Sequence, residues 1–242
     1  MIALTASVPA GTAKGRLHLP AGDGPHPLVI ALADAGGLRP AMDTMASHLT
    51  AAGYAVLMPD PYWRQEPWAP FDATTVFGDP EERARLMAMV GAMKTDEWIA
   101  DTRALLGALP PEVRKDRLGA IGWCMGGRAA FLLAAAFGDD VAAAVCVHAG
   151  GLVGETEASP HRRAAALAAE LHLAVADGDR SCTPEHQATL REALDDADVT
   201  YHLVVHEGAA HGFAVPDFAV YDPAAAQASW DAARALFDRT LR

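Results

Sequence analysis

Six residues, Gly122-Trp123-Cys124-Met125-Gly126-Gly127, narrow the folds open to this chain more than anything else in it. They directly follow a short apolar run, Leu118–Ile121, that reads as a strand, and they open an apolar helical stretch through Phe137. A nucleophile on a strained strand-to-helix turn is lifted above the sheet edge. Strand and helix then pass so closely that the positions two before and two after it have no room for a side chain. Gly122 and Gly126 meet that need. The helix that begins there also favours thiolate over thiol at Cys124. Two plainer readings compete: a buried structural cysteine beside a glycine-rich turn, or a phosphate or dinucleotide loop. The bare GxCxGG pattern arises by chance in roughly one of several hundred such chains, so the strand–turn–helix context is what gives it weight. The turn lies on a mid-chain strand and lacks GxGxxG spacing, which speaks against the dinucleotide reading.

Around the turn, strands and helices alternate, as in a mostly parallel sheet covered on both faces. Ile2–Val8 and Gly15–Leu19 read as an opening hairpin, and Pro27–Ala33 and Tyr54–Met58 as buried strands. Helices are expected at Met42–Ala52, at Asp79–Met93, at Asp96–Leu109 with Thr95 as N-cap, and at Arg162–Glu170. Val141–His148, Leu171–Ala176 and Thr200–Glu207 complete the strands. Thr183-Pro184 and Asp222-Pro223 each open a helix, a capping side chain followed by proline in the first turn. Asp60 to Gly78, rich in proline and aromatics, has no clear period, and a loop of this length suggests a pocket wall or lid. The 242 residues carry no repeat or linker and are read as one α/β-hydrolase domain, residues 1–242.

In such a fold the acid and then the histidine follow the nucleophile in chain order. His211 comes just after the strand Thr200–Glu207, in Gly208-Ala209-Ala210-His211-Gly212-Phe213, and is the candidate base. His148, at a strand end before any candidate acid, is a second choice that would line the pocket. Asp177 and Asp179 both follow Leu171–Ala176. One can turn the chain while the other reaches the histidine, and the deeper Asp179 is preferred. The oxyanion donors are expected to be the N–H of Met125, after the nucleophile, and of Ala35, in the loop after Pro27–Ala33. Asp34 beside them is awkward, since a fixed negative charge opposes an oxyanion. It must point away or serve another purpose.

Together these residues resemble the dienelactone hydrolase family over nearly the whole chain. Ala52-Gly53-Tyr54-Ala55-Val56, Pro59-Asp60-Pro61-Tyr62 and Thr183-Pro184-Glu185 add to the likeness. The resemblance implies a triad of Cys124, Asp179 and His211 and no cofactor or metal. It also implies that Asp34 stands where members of the family hold the resting thiol with a glutamate. The dienelactone enzymes grip a substrate carboxylate with two arginines. One matches Arg83 or Arg85, and the other would fall where this chain has Val215. Small neutral or weakly acidic esters and lactones are therefore expected over dienelactone itself. Trp63, Trp123 and Phe213 are further candidate substrate contacts.

Charge and cysteine usage bound the partners. A net charge of −12 repels polyanions, so nucleic acid is not expected. The first ten residues have neither a basic start nor a long apolar run, and no stretch has membrane-spanning length. Three widely spaced cysteines fit neither a disulfide framework nor a zinc site. The expectation is a cytoplasmic monomer acting on small molecules. A thiol-redox protein, with Cys182 as the thiol that resolves Cys124, is the alternative of a different class.

Overall fold

The computed structural model describes all 242 residues. Its eight strands are β1 (Ile2–Val8), β2 (Gly11–His18), β3 (His26–Leu32), β4 (Ala55–Pro59), β5 (Val113–Trp123), β6 (Val141–Val147), β7 (Glu170–Ala176) and β8 (Tyr201–His206). They form one sheet in the order β1-β2-β4-β3-β5-β6-β7-β8. β1 and β2 pair antiparallel, as does β2 with β4, and every other pairing is parallel. Parallel strands need crossovers that cover the sheet, so both faces of β3 to β7 are dry.

The alternation along β3 shows this directly. Leu28, Ile30 and Leu32 enter one core, while Val29 and Ala31 enter the other. The first core is roofed by α3 (Thr95–Gly107), α4 (Met125–Phe137) and α5 (Pro184–Asp196), through side chains such as Leu105, Phe131 and Leu190. The second is covered by α1 (Pro40–Ala51) and α6 (Pro223–Leu241), through Met42, Met45 and Phe237. Each fully buried leucine or phenylalanine contributes roughly 1.5–3 kcal/mol. The remaining helix, α2 (Pro80–Ala92), joins neither core. Its Leu86 packs with Phe71 and Val76 in a small separate cluster.

Several local expectations change, and β5 starts at Val113 and runs to Trp123 where a strand over Leu118–Ile121 is expected. β2 starts four residues earlier than Gly15, because Gly11 to Lys14 pair with β1. Thr95 is already helical, and Lys94 occupies the capping position without a side-chain bond. The stretch Arg162–Glu170 is not an α-helix. Pro160–Ala166 winds into a 3₁₀ run and Glu170 begins β7, paired with Ala143 of β6. Alanine-rich composition favours a helix there, but sheet pairing decides the outcome. The caps at Asp79, Thr183 and Asp222 form as their sequences suggest. No helix is long and apolar enough to cross a membrane.

Candidate active site

The site lies at the carboxyl ends of β3, β5, β7 and β8, where an open parallel sheet leaves room for loops. At the end of β5 the chain turns sharply, and Cys124 takes a positive φ of 54° that non-glycine residues rarely adopt. Sterics explain the flanking glycines. A Cβ on Gly122 would lie 2.0 Å from the Gly126 carbonyl oxygen, and one on Gly126 would lie 2.0 Å from that of Leu32. The strained residue is held by its N–H, which donates to Val147 O at 3.0 Å, and by its carbonyl, which accepts from Arg128 N at 3.2 Å.

His211 enters from the loop after β8. Its Nε2 is 3.1 Å from Cys124 Sγ, and its Nδ1 is 2.7 Å from Asp179 Oδ2. The two aspartates of the β7 loop divide the work. Asp177 Oδ2 accepts from Gly208 N and so ties the β7 and β8 turns together. Asp179 turns inward, and its second oxygen accepts from the N–H (2.8 Å) and hydroxyl (2.6 Å) of Ser181. Burial opposes its charge, but the hydrogen bonds from His211 and Ser181 outweigh that and hold the carboxyl at about 2. Burial also disfavours an imidazolium at His211, yet the bonds to Asp179 and Cys124 raise it to about 10. His148 is buried edge-on against His211, and burial keeps its ring neutral, with a value near 3.

Ala35 and Met125 both line the cavity beside the thiol. The Ala35 carbonyl is fixed by the Tyr62 hydroxyl at 2.7 Å. Asp34 does not face the thiol. Its two oxygens accept from Arg39 at 2.7 and 2.9 Å, and one of them also accepts from Gly36 N. Arg39 reaches on to both oxygens of Asp217. The negative charge that looked awkward beside an oxyanion is thus neutralised in place. The role of thiol partner expected for Asp34 is filled here by His211.

Most of the expected substrate contacts lie elsewhere. Trp63 is in the first core with its indole N–H on Asp101, and Trp123 packs against Trp230. Phe213 is buried against His148 and His206, and Val215 is wholly inside the second core. Arg83 is exposed and does not line the cavity. Arg85 bonds to Glu82 and to the Ala69 carbonyl, and lies over the outer face of Phe71. The cavity, of about 890 Å³, is walled instead by Phe71, Val76, Phe77, Leu86, Met87 and Phe218. Arg128, one turn beyond Cys124, stands at its edge. Of these, Phe71, Val76 and Phe77 fall within Asp60 to Gly78, the stretch expected to form a pocket wall or lid. Cys182 is buried, its thiol pushed up to about 11 by burial and by Asp179, and it does not line the cavity.

Comparison with known proteins places these features. The profile of the dienelactone hydrolase family matches residues 13–241. The chain is 28% identical over 245 residues to a protein of Azospirillum brasilense provisionally named carboxymethylenebutenolidase, covering 97% of this chain and 98% of that one. It is 32% identical over 126 residues to a carboxymethylenebutenolidase of a Pseudomonas species, about half of each chain. Among solved structures, a provisionally named dienelactone hydrolase from Klebsiella pneumoniae subsp. pneumoniae superposes with a TM-score of 0.83 at 26% identity, covering 98% of both chains.

Proposed function

The chain belongs to the dienelactone hydrolase family, and from that premise we propose that it cleaves carboxylic esters or lactones through a Cys124–His211–Asp179 triad. The observation that carries this reading is the unbroken line of contacts, 3.1 Å from thiol to imidazole and 2.7 Å from imidazole to carboxylate. Both distances are within the reach that proton transfer requires.

In the proposed reaction His211 Nε2 takes the thiol proton, and Cys124 Sγ attacks the carbonyl carbon. The carbonyl electron pair moves to oxygen, where the N–H groups of Ala35 and Met125 receive the charge. Collapse breaks the bond to the alcohol oxygen, which leaves with the proton from His211. The acyl group remains on sulfur as a thioester. Water then gives a proton to His211 and its oxygen attacks the thioester. The acid departs and the thiol regains its hydrogen. Asp179 carries no proton in this cycle. It fixes the tautomer in which Nδ1–H points at the carboxylate, leaving Nε2 free to accept.

The test is a screen of acyl esters and lactones with Cys124→Ala alongside. The variant should lose at least about 10³-fold in kcat/KM while its circular dichroism is unchanged. Intact-mass detection of an acyl adduct on wild type, absent from Cys124→Ala, would locate the thioester. Wild-type rates in Cys124→Ala would overturn the mechanism.

A further inference from the structure

The mouth of the catalytic cavity carries apolar side chains that neither main core uses. Phe77, Met87 and Val220 are 57%, 57% and 43% exposed. They come from three separate segments, the loop before α2, α2 itself and the loop after His211, and all three line this one cavity. Deeper in, Phe71, Val76 and Leu86 continue the same surface toward the nucleophile. Phe218 also lines the cavity, its ring edge-on to Phe77 with centroids 6.2 Å apart. An apolar patch gathered at the rim of a cavity marks what the cavity takes up, whereas scattered single exposed residues mark nothing.

Volume and charge point the same way. About 890 Å³ is near the top of the range, roughly 300–1,000 Å³, that holds drug-sized ligands, and an acetyl ester would leave most of it to water. The inner cation, Arg39, offers no free charge, because Asp34 and Asp217 occupy it. Arg83 and Arg85, the alternatives for the one carboxylate-gripping arginine expected in this chain, lie outside. Arg128 also lines the cavity, from an exposed position at its edge, and the rest of the wall from thiol to mouth is mainly hydrocarbon and aromatic.

Building on the hydrolase reading above, we propose that this site selects esters with a large apolar arm. The arm is a medium-length alkyl chain of about six to ten carbons, or an aromatic group of similar bulk. Its far end lies against Phe77, Met87 and Val220 while the ester carbonyl sits at Cys124. The expected small neutral or weakly acidic ester is thereby narrowed to one that carries such an apolar arm.

The experiment is a chain-length series. kcat/KM is measured for p-nitrophenyl acetate, butyrate, octanoate and decanoate, at concentrations where all are monomeric. A buried methylene favours binding by at most about fourfold. The rise from acetate to octanoate should be at least about tenfold, since not every methylene is fully enclosed. Phe77→Ser and Met87→Ser sit at exposed positions where the fold tolerates them. Each should lower the octanoate-to-acetate ratio by about threefold or more. A ratio at or below one in wild type, unmoved by either substitution, overturns the proposal. If acetate turnover is then still abolished by Cys124→Ala, the hydrolase reading survives it. If no ester is turned over through Cys124, both fall together.

Discussion

The turn at Cys124 and the wall formed by residues 71–90 face the same cavity, and they are held in opposite ways. The turn is fixed by backbone. Gly122 and Gly126 leave no space for a Cβ, and Cys124 N bonds to β6. Asp179 is pinned by Ser181 and His211 by Asp179. The wall has no such framework. Phe71, Val76 and Leu86 form a cluster of their own, and α2 shares little with the two main cores. Reacting atoms must be placed to a fraction of an ångström, whereas an apolar surface recognises its ligand by area and forgives displacement. The difference teaches that chemistry and selectivity can be altered separately in this molecule.

The sharpest way to break that contrast is at the acid. Asp179→Asn should lose about 10³–10⁴ in kcat, as a wrong-tautomer imidazole does, whereas Asp177→Asn should lose less than about tenfold. The reverse ranking would assign the β7-loop aspartates the opposite way. Next in size is Arg39→Met. It leaves Asp34, only 1% exposed, without its partner, and should cost about 3–5 kcal/mol in urea unfolding. The double change Arg39→Met with Asp34→Asn should recover part of that, and a failure to recover would show that Asp217 carries most of the coupling.

The wall predicts smaller numbers. Phe71→Ala should reduce global stability by less than about 2 kcal/mol while speeding amide exchange in residues 71–90, with β5 to β7 unaffected. A loss as large as that of a residue in either main core would erase the distinction between the two regions. The pH dependence is subtler still. Asp179 is held below its ordinary value, so it stabilises the fold above pH 4 and that contribution is lost as pH falls towards 2. His211 is raised, so its contribution is full below about 6.5 and is lost as pH rises through about 10. The difference in Tm between wild type and His211→Gln should therefore shrink on going from pH 6 to pH 10.5. A difference that grew with pH would contradict the Asp179–His211 pairing.

What sequence alone could reach divides along the same line. The elbow was legible because its constraint is local: two glycines at fixed offsets from one residue answer one steric problem. Depth in the loop favours Asp179 over Asp177 only weakly, because the distinction rests on which one Ser181 and His211 meet. Arg39 and Asp217 lie 178 residues apart and have no spacing to read. Trp123 is not the substrate contact expected of it, and the sequence carries the reason. Ile121 and Trp123 alternate with the residues facing α4, and that period of two sends the indole to the far side of the sheet. Val215 belongs to the second core, so its distance from the histidine in the chain said nothing about the cavity.

The partners of Cys124 are also separated in time. His211 follows it by 87 residues, and Arg39 waits a further six for Asp217. At a synthesis rate of about 5–20 residues per second, roughly 4–17 seconds pass between the making of the thiol and of the imidazole that meets it. During that interval the emerging chain can hold β3, β5 and the elbow, yet lack the imidazole that would activate the sulfur. The proposed chemistry is therefore withheld from the unfinished protein by the order of its strands, and is switched on by the last third of the chain.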